Sequence, residues 1–236
     1  MEEQINYMKK QVKVLRTIIY IFGLLFVGLG AYTISTNINS KKLITTEGII
    51  IKDSNDNERI LIGTPIPSAL NRVRTDSARI WDEWVKRWPE NYHDSIWKWY
   101  QDYNHTTNGI VILSESGFDR IAIGDPTPDP NIGKRIAPSV GFVIYDEKGF
   151  ERTGYGVMNF GEKYRVSLGL DSKYGTEGIN LVVDDDGYNG LSVPGLDKSI
   201  FIGNADTLTW HTKPHNKFMG LIILDRDSVY YSLNKK

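Results

Sequence analysis

No cysteine occurs among the 236 residues. That excludes disulfides, thiol catalysis and Cys-based zinc sites, and leaves the redox compartment open. Neither charge sign prevails, with 28 Lys and Arg against 29 Asp and Glu, so no global field draws the chain toward nucleic acid. Catalytic signatures are missing as well: there is no Gly-x-Ser-x-Gly elbow, phosphate loop, His-Glu-x-x-His or dinucleotide fingerprint. The chain is therefore read as a non-enzyme, with no catalytic, cofactor-binding or metal residues assigned. His211 and His215 are four apart, but Pro214 between them argues against a helix that would bring both onto one face. Asp184-Asp185-Asp186 and the run from Asp53 to Glu58 are rich in oxygen yet lack the calcium-loop spacing, and turn chemistry accounts for both.

Charge is also absent from residues 17–34, TIIYIFGLLFVGLGAYTI. At a helical rise this stretch is long enough to cross the hydrocarbon core of a bilayer. A cleaved secretory signal is the competing reading, but the stretch is long for such a signal and no small-x-small site follows Ile34. Residues 17–35 are thus expected to be an uncleaved anchor. Lys9, Lys10, Lys13 and Arg16 precede it and only Lys41 and Lys42 follow closely, which favours a cytoplasmic N-terminus and an extracytoplasmic remainder at the cell membrane. Within residues 1–16, and on to Ile19, the positions Ile5, Met8, Val12, Leu15 and Ile19 alternate spacings of three and four, as coiled-coil seams do. Self-association through this helix is expected, with a lone amphipathic segment as the alternative.

What the chain has in abundance is one repeated pattern. Gly48 to Gly63, Gly109 to Gly124 and Gly141 to Gly156 each run from an opening to a closing Gly, since 63−48, 124−109 and 156−141 are all 15. Arg59, Arg120 and Arg152 each stand eleven residues after the opening Gly, and looser copies start at Gly178 and Gly220. Each copy reads as a β-hairpin: an apolar run, a turn of Asp, Ser, Asn or Gly, and a second strand. Asp in the repeat is assigned to turn capping, and Arg to a solvated or cross-strand-paired face.

First strands such as Ile110-Val111-Ile112-Leu113 are apolar at consecutive positions, so both of their faces are expected to be covered, by other copies of the repeat or by neighbouring chains. Second strands alternate, as in Val166 and Leu168 against Arg165 and Ser167, which predicts one face in water. The fold class predicted for residues 43–236 is therefore mainly β, with repeated antiparallel hairpins stacked as a meander, a solenoid-like array or a barrel. Arg165-Val-Ser-Leu-Gly169, Gly175 and Gly178-Ile-Asn-Leu-Val-Val-Asp184-Asp-Asp-Gly187 resemble the short hairpin repeat of a loose set of uncharacterised bacterial proteins, often placed behind one membrane helix. The resemblance covers roughly residues 43–63 and 108–233 and implies no agreed activity.

Residues 68–104 interrupt the β pattern and hold five of the six Trp. Ile80, Trp81, Trp84, Val85 and Trp88 fall on one helical face; Tyr92, Ile96, Trp99, Tyr100 and Tyr103 form a second after Pro89. A helical hairpin inserted between repeats is predicted, its aromatic rings packing it onto the β-repeat. Trp81, Trp88, Trp97, Trp99 and Tyr103 are the candidates for contact with a partner or ligand, with Trp97 the most exposed. Asn104-His105-Thr106 matches the glycosylation sequon, and Asp125-Pro-Thr-Pro-Asp-Pro130 is read as a stiff linker. The expected role is a membrane-anchored structural or interaction module, partnered by the membrane and by itself or another membrane protein. A glycan-binding envelope module and an envelope hydrolase using two carboxylates are the alternatives.

Overall fold

The computed structural model describes residues 1–39, 44–131, 133–195, 197–205, 218–225 and 228–234. The chain divides into two units, Met1–Thr45 and Thr46–Lys236. The first is a single helix, α1 (Glu2–Asn39), long and apolar enough to cross a membrane. Its apolar side chains have no cover of their own: Ile5, Met8, Val12, Leu15 and Ile19 are all exposed.

The second unit is a twelve-stranded antiparallel meander in which every strand pairs with its sequence neighbours. Its strands are β1 (Gly48–Lys52), β2 (Glu58–Gly63), β3 (Asn108–Leu113), β4 (Asp119–Asp125), β5 (Ser139–Tyr145) and β6 (Glu151–Asn159). There follow β7 (Tyr164–Asp171), β8 (Glu177–Asp184), β9 (Asn189–Val193), β10 (Lys198–Ala205), β11 (Phe218–Asp225) and β12 (Ser228–Asn234). The expected hairpins are present, but they lie side by side in one open sheet. Among the described residues β1 and β12 are not paired, so the barrel and the stacked solenoid are both set aside.

The repeat spacing now has a physical meaning. Opening and closing glycines are cross-strand partners, Gly48 with Gly63, Gly109 with Gly124 and Gly141 with Gly156, and the six form one continuous ladder. A methyl on Gly141 would lie 2.1 Å from the Tyr155 carbonyl oxygen and 2.6 Å from Gly156 Cα, so the backbones approach too closely there for any side chain. Before each strong turn the register slips by one residue, between Ile51 and Lys52, Ile112 and Leu113, and Ile144 and Tyr145. These are β-bulges. The repeat Arg serves the bulge of the next hairpin: Arg59 Nε donates to Leu113 O at 3.1 Å, Arg120 Nε to Tyr145 O at 3.1 Å and Arg152 Nε to Asp171 O at 3.2 Å. The repeat Asp caps the turn as expected, Asp146 Oδ1 accepting from the Lys148 and Phe150 amides.

Successive residues of a strand face opposite sides of a sheet, so the two sides can be read separately. On one side, the capped face, Leu61, Val111, Ala122 and Val143 follow one another across β2 to β5 and are buried with Leu113 and Tyr145. Farther along, Val182, Tyr188, Phe201, Phe218, Ile222 and Leu224 form a second cluster. On the other side, the open face, one register row runs through Ile49, Ile62, Ile110, Ile123, Phe142 and Tyr155. The same row continues through Leu168, Leu181, Leu191, Ile202, Leu221 and Leu233 to the last strand. A parallel row carries Ile51, Ile60, Ile112, Ile121, Ile144, Thr153, Leu170 and Ile179. Ile123 is 44% exposed, and Leu181 and Ile202 are each 49% exposed.

Among the described residues this chain itself covers the doubly apolar strands on the capped face only. β7 inverts the expected pattern: Arg165 and Ser167 lie on the side of the capped face, and Leu168 and Leu170 on the open one.

The insertion supplies the cap over the first clusters. It comprises α2 (Ser77–Glu83) and α3 (His93–Gln101) with short 3-10 turns between them. Asp76 caps α2, its Oδ1 accepting from the Ala78 and Arg79 amides at 3.1 Å. Trp84, Val85, Ile96, Tyr100 and Tyr103 bury against Phe118 and Phe150, which hold the same repeat position in two successive turns. Trp84 Nε1 donates to Lys148 O at 2.8 Å and Arg79 to Ser116 O at 2.7 Å, fastening α2 to both turns.

Candidate functional site

The five aromatic candidates do not form one surface. Tyr103 is buried, while Trp81 and Trp97 pack on the helical core edge to face with ring centres 5.6 Å apart. Trp97 also stacks on Tyr100, so the expectation that it is the most exposed Trp is overturned; among the described residues Trp99, 52% exposed, takes that place, followed by Trp88 at 37%. The aromatic concentration is explained chiefly by core packing.

Beneath the insertion lies a buried ion network. Arg72 reaches Asp119 in β4 with both Nε, at 2.8 Å, and Nη2, at 2.6 Å, and Arg74 Nε adds a contact at 3.0 Å. The Arg74 guanidinium lies 5.7 Å from the Trp84 ring centre and 5.8 Å from that of Tyr145, and the Tyr100 hydroxyl donates to its backbone carbonyl. Burial alone would raise the Asp119 carboxyl, but Arg72 and Arg74 beside it hold it below the ordinary aspartate range. Burial, reinforced by the charge of Arg74, pushes His105 down to about 4, so it is neutral at physiological pH. These groups fasten the insertion to the sheet, although Arg74 Nη1 and Nη2, His105 Nδ1 and the Tyr145 hydroxyl are buried without a hydrogen-bond partner.

The segment read as a linker is packed as well. Thr127 and Asp129 are buried, and Asp129 accepts from the amides of Asn104 at 2.7 Å and Arg135 at 2.8 Å. Polar residues between the prolines thus find backbone partners, which an exposed spacer would not offer. In the sequon, Asn104 Nδ2 donates to the carbonyl of Thr106 at 3.0 Å.

Between the two apolar clusters of the capped face the sheet is bare. Gly154, Gly156, Ser167, Gly169, Asn180 and Ser192 floor a trough of about 740 Å³ over β6 to β9. Small residues leave this space because neighbouring strands all carry them at adjoining register positions. At one side Arg135 pairs with Glu151 at 3.1 Å. Asp171 is pushed up to about 7 by burial and by the negative charges of Glu151 and Glu177; Glu177 is raised by burial and Glu151. At another side Arg165 pairs with Asp184 at 2.5 Å, and the Asp185 and Asp186 carboxylates accept from the Tyr164 amide and Lys163. The acidic run is therefore spent on turn and ion-pair contacts, and among the described residues no group of three metal-ligating side chains converges. His211 and His215 lie outside the described residues.

The trough was not anticipated from sequence, although alternate small residues in Gly154-Tyr155-Gly156 and Ser167-Leu168-Gly169 were its available signal. Two surfaces are thus left with unused chemical capacity: this polar trough and the apolar open face. Comparisons with family models, with curated proteins and with solved structures found no match to this chain.

Proposed function

We propose that the chain is a structural and interaction module held at a membrane by α1, serving as one subunit of an oligomeric or hetero-oligomeric assembly. The observation that carries this reading is the open face, on which every strand of the sheet places an aliphatic or aromatic side chain. A contiguous apolar surface of that extent is unfavourable in water and marks a site of association. The cluster of Lys9, Lys10, Lys13 and Arg16 ahead of the anchor supports a cytoplasmic N-terminus, and hence a β domain outside the cytoplasm. Gentle detergent extraction from native membranes, followed by sizing and identification of co-purifying chains, tests the reading. A particle larger than one chain is expected; a clean monomer without companions contradicts it.

A second reading, an envelope hydrolase, draws on the trough. Asp171, raised to about 7, is a proton donor near neutrality, and Glu151 beside it is ion-paired to Arg135. Hydrolysis of envelope polysaccharide by the intact chain, lost in both Asp171→Asn and Glu151→Gln, would establish it. Absence of turnover on a panel of envelope glycans removes it.

A further inference from the structure

We infer that the occupant of the open face is a second copy of this chain, packed sheet against sheet. The inference rests on the association reading above and names its partner.

Extent comes first. Twelve strands at about 4.8 Å make a face about 55 Å long, and two residue rows span about 13 Å along the strands, a footprint of about 700 Å². The largest apolar patch of an ordinary monomer is about 300–600 Å². A stable pairwise interface takes about 800 Å² from each partner. The open face therefore approaches what a dimer needs and exceeds the largest patch usual on a free monomer.

Chemistry then selects the partner. The two rows contain no Asp, Glu, Lys or Arg, so charge cannot steer a dissimilar protein onto them. The surface that matches an uncharged, regularly ridged sheet is another sheet of the same strand spacing, and aligned sheets pack face to face about 10 Å apart. The capped face does not qualify, because the insertion and the two apolar clusters occupy its flanks and the trough between them is floored by small and polar residues. The same chain provides the means of bringing copies together. A membrane anchor confines them to one plane and raises their effective concentration. Ahead of it, Ile5, Met8, Val12 and Leu15 form an exposed apolar stripe at coiled-coil spacing.

Because the chain has no native Cys, a single introduced thiol reports unambiguously. Tyr155→Cys and Leu168→Cys stand at the middle of the open row, where a two-fold packing brings like residues together. Glu115→Cys, in an exposed turn, is the control. Each full-length variant, in native membranes, is treated with a bis-maleimide of about 10 Å reach, the sheet-to-sheet spacing. The expected result is a covalent dimer of twice the chain mass at Tyr155→Cys or Leu168→Cys, and little at Glu115→Cys.

In parallel, two differently tagged copies are co-expressed and one is captured. Introducing Leu181→Lys and Ile202→Lys into both copies is expected to lower recovery of the second tag by about tenfold, since each buried unpaired charge is costly. Circular dichroism of the double variant checks its fold; if it is misfolded, the cross-link alone decides. A cross-link to a chain of different mass overturns the second copy while leaving the association reading intact. No cross-link above control, with a monomer in the detergent extract, overturns both.

Discussion

Arg59 donates through Nε to the carbonyl of Leu113 at 3.1 Å, across 54 residues of sequence. The same relation links Arg120 to Tyr145 and Arg152 to Asp171, so the Arg that marks each repeat closes the bulge at the end of the strand next to it. A bulge leaves a carbonyl outside the regular ladder, and a guanidinium is a strong donor with which to satisfy it. Arg120→Leu is therefore expected to destabilise the sheet by about 1.5–3 kcal/mol, the range for a hydrogen bond to a charged group. A lowered urea midpoint with an unchanged slope checks it.

The glycine ladder gives a stricter expectation. A Cβ at Gly141 meets backbone atoms, at 2.1 Å and 2.6 Å, and not the yielding tip of a side chain. Gly141→Ala should cost about 1–3 kcal/mol as overpacking, despite the higher strand propensity of Ala. The same change at Gly169, whose Cβ would meet only Glu177 Oε1 at 3.9 Å, should be nearly neutral. Thermal melts of the two variants side by side distinguish a ladder position from a trough position.

Removing one member of the buried network should be costly. Arg72→Met leaves Asp119 charged, 3% exposed and short of its bidentate partner, at an expected loss of about 3–5 kcal/mol. The pH sign follows from the lowered Asp119 carboxyl. Its contribution is present above the ordinary aspartate range and is lost as pH falls through the depressed value, so acid should release the insertion. Trp84 fluorescence during an acid titration follows that release.

Asp171 carries the opposite sign. Its folded value of about 7 exceeds the ordinary 3.8, so the stability it contributes is full below that ordinary value and disappears as pH rises through about 7. Asp171→Asn should therefore stabilise the protein at pH 8, by about 1 kcal/mol once solvent screening is allowed for. The gain should vanish near pH 4. Tm of wild type and variant across that window provides the check.

Much of this was legible in the chain. The 15-residue interval between Gly109 and Gly124 encodes a cross-strand pair, and the apolar run of residues 17–34 encodes a long uninterrupted helix. Pro89 separates the two helical stretches of the insertion, as its pattern implied. What sequence could not convey was the third dimension of the sheet. A run such as Ile110 to Leu113 states that both sides are apolar, not that one side lies bare, because cover comes from elsewhere in the fold. Trp97 and Trp99 differ by two positions on one short helix, and only the placement of Trp81 and Tyr100 decides which is hidden. Arg72 and Asp119 are 47 residues apart with no local signature. The trough likewise arises from small residues on four separate strands.

The central claim is that the bare isoleucine and leucine rows are covered in the assembled protein. Its most direct test is the rate of maleimide labelling of Ile123→Cys in native membranes, compared with Glu115→Cys and with the same variant dissociated in harsh detergent. The account predicts labelling about tenfold slower than at the turn, rising to the turn's rate on dissociation. Equal rates at the two positions in intact membranes would contradict it.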